Sequence, residues 1–323
     1  MEKIKLIINK KMFGCKMKER IRQIKRAFYY LVHKPSVLMI LLWDNLASLL
    51  PDKLFLRVKF RLCMGYWMDF GNPKTFNEKL QWLKLNDIHP EYTKMVDKIE
   101  AKAYVASIVG EKYIIPTIGV WDSVDEIDWS LLPNQFVIKS SNDSGGVVVC
   151  KDKNELNINE AIQKLKTLGG RDYSMTSKEY PYKNVPHRFL AEEYMEDESG
   201  YELKDYKFFC SNGEVKFLFV ATGRQGGDTR FDFFDTSFNH IPVLNGHPNA
   251  DIVPIKPQNF DEMLEVAGKL STNIPEVRVD LYNINGQIYF GEMTFFHWSG
   301  LVPFEPFEWD LRFGEMFQLP IDC

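Results

Sequence analysis

The sequence predicts an α+β protein, with a helical N-terminal region ahead of a body built from short strands. Three observations carry this. Up to Gly110, apolar residues recur at helical spacing between proline and glycine boundaries. Beyond it, short apolar runs alternate with polar loops, and only two further helical stretches interrupt them. With 323 residues, 45% hydrophobic and 14% aromatic, the chain buries a sizeable core and is not of disordered composition.

The elements follow in order. Residues 1–50 read as a basic arm. Residues 1–35 hold eleven Lys/Arg against Glu2 and Glu19, a formal +9, and the remainder carries 29 basic and 42 acidic residues, a formal −13. Such a division points to an anionic partner for the arm. Ile21, Ile24, Phe28, Leu31 and Val32 fall at helical spacing. They fit a basic amphipathic helix on an anionic membrane, and equally a helix packed on the body with a solvated basic face. The apolar run Val37–Trp43 stops at Asp44 and Asn45, far short of the ~20 residues that span a bilayer. The charge-rich lead does not read as a secretory signal. Five cysteines without a C-x-x-C pair suit a reducing compartment and argue against zinc. The expected location is cytoplasmic and peripheral at the inner face of the cell membrane, with no nucleic-acid partner.

Helices are expected over 17–33, 37–50 and 52–63, bounded by Pro35 and Pro51. A helical region over 51–110 continues with 76–85, where Thr75 and Glu78 form a capping box, and with one long helix over 91–109 closed by Gly110. The body, 111–323, shows strands at 136–139, 147–150, 189–195, 206–210, 215–221, 277–281 and 288–293, with helices at 155–168 and 260–273. Residues 170–188 and 222–250 read as long loops, which tend to be functional.

The most telling stretch is the hairpin Arg278-Val279-Asp280-Leu281-Tyr282 … Ile288-Tyr289-Phe290-Gly291-Glu292-Met293-Thr294. Acids are rare in apolar strands, because a buried carboxylate is costly unless paired. A two-residue Asn285-Gly286 turn pairs Asp280 with Gly291 and sends Glu292 to the wrong face. A three-residue loop, Ile284-Asn285-Gly286, pairs Asp280 with Phe290 and aligns Asp280, Glu292 and Thr294. The three-residue loop is therefore expected. A magnesium site is the functional reading, and a surface hairpin with solvated acids is the other. Lys139 ends a strand before a Ser/Gly loop holding Ser144 and Gly145, a way to cradle phosphates, although an ordinary hairpin has the same look. Glu192-Glu193-Tyr194-Met195 ends a strand with acids and an apolar edge that suit adenine. Asp205-Tyr206-Lys207 offers an acid for ribose and a cation for phosphates or a substrate carboxylate.

In this order, together with Asn72–Lys84, Val96-Asp97-Lys98, Tyr113–Pro116 and Phe208–Gly213, these motifs closely resemble the TupA-like branch of ATP-grasp proteins. That branch is linked to teichuronopeptide, capsule and other cell-surface polysaccharide biosynthesis. The resemblance covers about residues 53–320. It implies an ATP-grasp fold with two α+β lobes, about 111–195 and 196–323, clasping ATP.

The implied ATP contacts are Lys98, Lys139, Ser144, Gly145, Glu192, Glu193, Met195 and Asp205. Asp280, Glu292 and Thr294 are the implied Mg²⁺ ligands, and Arg278 and Lys207 the catalytic cations. Arg224, Arg230, His297 and Ser299 are the expected substrate contacts. Thr294 stands where many ATP-grasp ligases have Asn, and a hydroxyl is a poorer ligand than an amide oxygen. Phe296-His297-Trp298-Ser299-Gly300 replaces a Pro-Gly-Ser-Gly type segment of the branch.

The implied activity is carboxylate–amine ligation through an acyl phosphate, the carboxylate being a uronic acid of a glycan precursor and the amine an amino acid or small amine. A sugar kinase of the same fold and a glycosyltransferase are the competing readings. A D-x-D motif, frequent in sugar-nucleotide transferases, is absent from the sequence.

Overall fold

The computed structural model describes residues 35–141, 146–168, 174–200, 202–224 and 226–320 of the chain. The helix expected over 17–33 lies outside them. The chain divides into two compact units, Met1–Met68 and Asp69–Cys323.

In the first unit, α1 spans Pro35–Asp44 and α2 spans Asp52–Met64. Pro51 precedes α2, and Gly65, left-handed at φ 83°, closes it. Phe55, Leu56 and Phe60 are its buried face, and Lys59 reaches Asp44 at 2.6 Å.

The second unit begins with α3, Phe76–Asn86, closed at its N-terminus by the expected capping box of Thr75 and Glu78. The single helix expected over 91–109 is instead two, α4 (Tyr92–Val96) and α5 (Glu100–Val109). The break is at Asp97, which turns extended (ψ 115°). Its buried carboxylate accepts from the Ile99 amide at 2.8 Å and pairs with Arg188 at 2.7 Å. Lys98 therefore sits in a corner between helices, not on a helix face.

Two antiparallel sheets follow. The first takes β1 (Thr117–Trp121), β2 (Phe136–Ser140), β3 (Val147–Cys150) and β4 (Phe189–Glu193) in the order β1-β4-β2-β3. Ala161 and Leu165 of α6 (Ile158–Leu168) share its core with Phe136, Ile138, Val148 and Phe189. A short helix, α7 (Ser174–Ser177), precedes β4.

The second sheet holds β5 (Asp205–Ser211), β6 (Glu214–Thr222), β7 (Arg230–Phe234), β8 (His240–Ile241), β9 (Val277–Ile284) and β10 (Gln287–Thr294), in the order β10-β9-β5-β6-β7-β8. Every residue of β5 is buried, because both faces of this sheet are covered. Phe208 faces Phe260 of α8 (Phe260–Leu270), while Phe209 and Phe217 on the opposite face meet Phe76 of α3. Phe217 also stacks at 3.8 Å on Phe313 of α9 (Glu308–Glu315). A sheet covered on both sides reads as continuous apolar sequence, which is what Phe208–Cys210 and Phe217–Ala221 show.

Five elements were not expected from the sequence: β1, β7, β8, α7 and α9, and α7 lies inside the supposed 170–188 loop. Strands β7 and β8 lie inside the supposed 222–250 loop. Asp232 interrupts the apolar pattern of β7, yet it is buried and held by the Ala250 amide at 3.2 Å and His240 at 3.2 Å.

The β9–β10 hairpin corrects the expected turn. Ile284 pairs with Gln287, so the turn is the two residues Asn285-Gly286, both with positive φ (51° and 87°). Their left-handed conformations match the twist of the strands. The register then slips by one residue at Gly291, between Phe290↔Leu281 and Glu292↔Asp280. This bulge, not a longer loop, brings Asp280 and Glu292 directly opposite one another. A Cβ on Gly291 would stand 3.1 Å from the Asp280 carbonyl oxygen and from the Tyr282 ring, so glycine suits this position.

Candidate active site

Three adjacent strands assemble one ionic cluster. Their register sets Lys207 of β5 opposite Asp280 of β9, and Asp280 opposite Glu292 of β10. Two residues along β9, Arg278 lies opposite Thr294. Because side chains alternate, all of these point to one sheet face. Arg278 grips Asp280 with two nitrogens, Nε to Oδ1 at 2.6 Å and Nη2 to Oδ2 at 2.8 Å. Nη2 also donates to Thr294 Oγ1 at 2.9 Å and to Glu292 Oε1 at 3.4 Å. Lys207 Nζ pairs with Asp280 and, at 2.8 Å, with Asp205. Arg224 pairs with the same Asp205 oxygen, Oδ2. Lys98 comes from the helical region to within 3.9 Å of Glu292.

Four cations, Lys98, Lys207, Arg224 and Arg278, thus enclose three carboxylates, Asp205, Asp280 and Glu292. Burial alone pushes the Glu292 carboxyl up, but Lys98, Lys207, Arg278 and Arg224 overcome it and hold Glu292 well below the usual carboxylate range. Asp205 Oδ1 is buried with no hydrogen-bond partner among the described residues. An orphaned acceptor beside a surplus of cations suits a ligand that brings both donors and negative charge, as the hydroxyls and phosphates of a nucleotide do.

A second cluster lies on the four-stranded sheet. Glu192 of β4 is buried between Lys139 of β2 at 2.6 Å and Lys102 of α5 at 2.5 Å. Burial raises the Glu192 carboxyl, yet the two lysines bring it below its ordinary value. Glu193 is exposed and Met195 half-buried just past the strand end, and the Glu193 amide donates to Pro116 O at 3.2 Å. Ser144 and Gly145 lie outside the described residues.

The expected substrate contacts separate. Arg224 joins the ionic cluster. Arg230 instead pairs with Asp228 at 2.9 Å and donates to Asn249 O at 3.1 Å. Ser299 Oγ accepts from Lys84 at 2.7 Å. His297 is buried at 3% exposure and its ring bonds Arg278 Nη1 at 2.8 Å, so it touches the cluster from behind. It sits in a strained turn in which Phe296, Trp298, Ser299 and Gly300 all have positive φ.

Sequence reasoning missed Lys102, Asn245 and Glu276. Lys102 follows Lys98 by four positions in the sequence, a spacing that could have drawn attention. Asn245 bonds His297 Nε2 at 2.8 Å across 52 residues, and no local signal marks it. Glu276, two residues before Arg278, is buried, and burial pushes its carboxyl up to about 8 against the opposing effect of the Phe296 backbone N–H.

Among the described residues, no three or more His, Cys, Asp or Glu side chains are placed to hold a metal ion by themselves. Asp280, Glu292 and Thr294 nevertheless offer hard oxygens on one face. That donor set fits Mg²⁺, which takes one or two carboxylates from a protein and completes its shell with water and substrate phosphates.

A family model described as TupA-like ATPgrasp matches residues 78–318, about three quarters of the chain. No curated protein matches it. Among solved structures, it is similar to D-alanine-D-alanine ligase from Helicobacter pylori at 17% identity and TM-score 0.42, over 76% of this chain and 67% of that one. It is similar to D-alanine–D-alanine ligase from Bacillus anthracis, complexed with ATP, at 14% identity and TM-score 0.35, over 62% and 55%. L-amino acid ligase from Bacillus licheniformis matches at 11% identity and TM-score 0.40, over 76% and 55%. The chain thus spans between about half and two thirds of the length of these solved proteins.

Proposed function

Because the chain belongs to the TupA-like ATP-grasp family, we propose that it is an ATP-dependent ligase that joins a carboxylate to an amine through a C–N bond. The observation that carries the reading is the cross-strand row Lys207–Asp280–Glu292 with Arg278 laid along it. A carboxylate is a poor electrophile. Phosphorylation turns its oxygen into a leaving group, after which an amine displaces phosphate. This chemistry needs positioned charge more than a nucleophilic side chain. Arg278 and Lys207 supply that charge at fixed positions, each anchored by a carboxylate. Lys98 and the Lys139–Lys102 pair hold phosphate oxygens, and Asp205 accepts from ribose. Asp280, Glu292 and Thr294 would hold Mg²⁺, which when bound would neutralise developing phosphate charge.

We assign the carboxylate to a uronic acid within a surface glycan or its precursor, and the amine to an amino acid or small amine, on the strength of the family. The test is ADP release from ATP and Mg²⁺ with the purified chain, screened over uronic acids paired with amino acids. ADP release that needs both partners, with a hydroxamate trapped by hydroxylamine, is the expected result. ADP release with a sugar alone and no hydroxamate makes the chain a kinase and overturns the reading.

A further inference from the structure

We propose that His297 is a positioning residue for Arg278: a neutral hydrogen-bond acceptor, fixed in its Nε2–H tautomer by Asn245, that orients the guanidinium without offsetting its charge. The inference rests on the ligase reading only through the role given to Arg278.

The tautomer follows from a chain of bonds that begins at two carbonyls. Asn245 Nδ2 donates to Val302 O at 3.1 Å and to Pro303 O at 3.2 Å. Carbonyl oxygens only accept, so the amide group of Asn245 is oriented and its Oδ1 faces His297. Oδ1 lies 2.8 Å from His297 Nε2, so Nε2 carries the hydrogen. Nδ1 is left with its lone pair, and that nitrogen stands 2.8 Å from Arg278 Nη1. Arginine is only a donor, so the lone pair is what this contact requires. A second proton on His297 would set one N–H against another.

The surroundings keep the ring in this state and in this place. Burial, and after it the positive charges of Arg278 and Lys207, lower the His297 pKa well below the ordinary histidine value. The ring lies edge-on to Phe209 at 5.0 Å and tilted to Phe219 at 5.5 Å. The backbone turns sharply on either side, with Phe296 at φ 62° and Trp298 at φ 49°.

The use of a neutral partner has a chemical reason. Arg278 already faces Asp280 and Glu292, and Nε and Nη2 are committed to the hairpin. A third carboxylate at Nη1 would fix the guanidinium equally well and cancel its remaining charge. Imidazole fixes Nη1 and leaves the charge available to a transferring phosphoryl group. One Nη1 hydrogen has no acceptor in these bonds, and it is the one His297 aims.

The experiment uses the full chain. In ¹⁵N-histidine-labelled protein, the signals that vanish in His297→Gln are expected to be those of a neutral Nε2–H ring between about pH 6 and pH 8. An imidazolium or an Nδ1–H tautomer there overturns the proposal. In steady-state turnover, His297→Leu and Asn245→Ala are expected to lower kcat on the order of 100-fold, with KM for ATP little changed. His297→Gln, whose amide oxygen can also accept, is expected to recover most of the loss. Wild-type kcat in His297→Leu, with turnover abolished in Arg278→Lys, removes His297 from the arrangement and leaves the ligase reading standing. Normal turnover in Arg278→Lys is a different failure and strikes the role of Arg278 itself.

Discussion

Glu192 shows how much a single side chain depends on its neighbours. It is buried with one lysine on either side, so removing one lysine leaves a partly compensated buried charge. Lys139→Ala is therefore expected to weaken ATP binding and to lower stability by roughly 1–3 kcal/mol, less than a full buried-pair loss because Lys102 remains. Adding Glu192→Gln should restore the stability and not the affinity. Denaturant melts alongside ATP titration calorimetry check both halves, and a double variant that stays as unstable as Lys139→Ala refutes the pairing.

Glu276 gives the opposite case. Its carboxyl titrates near 8 in the folded chain against an ordinary 4.5, so folding favours the protonated form. That stabilisation is complete below the unfolded value and fades as pH rises through about 8. Glu276→Gln is expected to flatten the dependence and to gain on the order of 2–4 kcal/mol relative to wild type between pH 5 and pH 8. Melting temperatures of the two proteins across that range decide it.

At the scale of elements, the hairpin bulge deserves a direct test. Gly291→Val places branched carbons against the Asp280 carbonyl and the Tyr282 ring, each of which would stand 3.1 Å from the new Cβ. The expected outcome is a loss of about 1–3 kcal/mol and a far larger loss of turnover, since Glu292 is displaced from Asp280. A variant that melts early yet turns over normally contradicts the bulge as the source of the alignment. The face shared by Asp280 and Glu292 was legible because alternation is local. The two-residue turn and its compensating bulge were not, because Gly291 signals a bulge only once its partner strand is known. The same distinction separates the other elements. The capping box at Thr75 and Glu78 is written within four residues and was found. The break at Asp97 depends on Arg188, 91 positions away, and was not. Strand β7 was hidden by Asp232, whose partners His240 and Ala250 lie outside it.

For the whole molecule, charge is the organising quantity. No helix among the described residues is long and apolar enough to cross a membrane. The formal +9 of residues 1–35 against −13 for the rest suits an anionic partner for the arm, and an anionic membrane surface is the partner to test. The full chain is expected to co-sediment with vesicles containing anionic lipid, to release at high salt, and to ignore neutral vesicles. A version beginning at Pro51 should bind neither. Equal sedimentation of both versions removes the arm from the interaction. At this scale the sequence disclosed the family and the strand-rich body. It could not disclose which cations meet which acids, because Lys98, Lys207, Arg224 and Arg278 arrive from four separate segments.

The tight Asn285-Gly286 turn also bears on the order in which the protein assembles. Strands joined by two residues need almost no loop closure, so β9 and β10 are free to zip on the microsecond scale of isolated hairpins. Arg278, Asp280, Glu292 and Thr294 all lie on this one ribbon, and it carries its own counter-ion for the opposed acids. Lys207 and Lys98 are expected to join later, because their contacts close long stretches of chain. The acidic half of the site is thus expected to form first, with the remaining cations joining it afterwards. Pulsed hydrogen exchange should find the amides of Val279–Tyr282 protected before those of Phe208–Cys210.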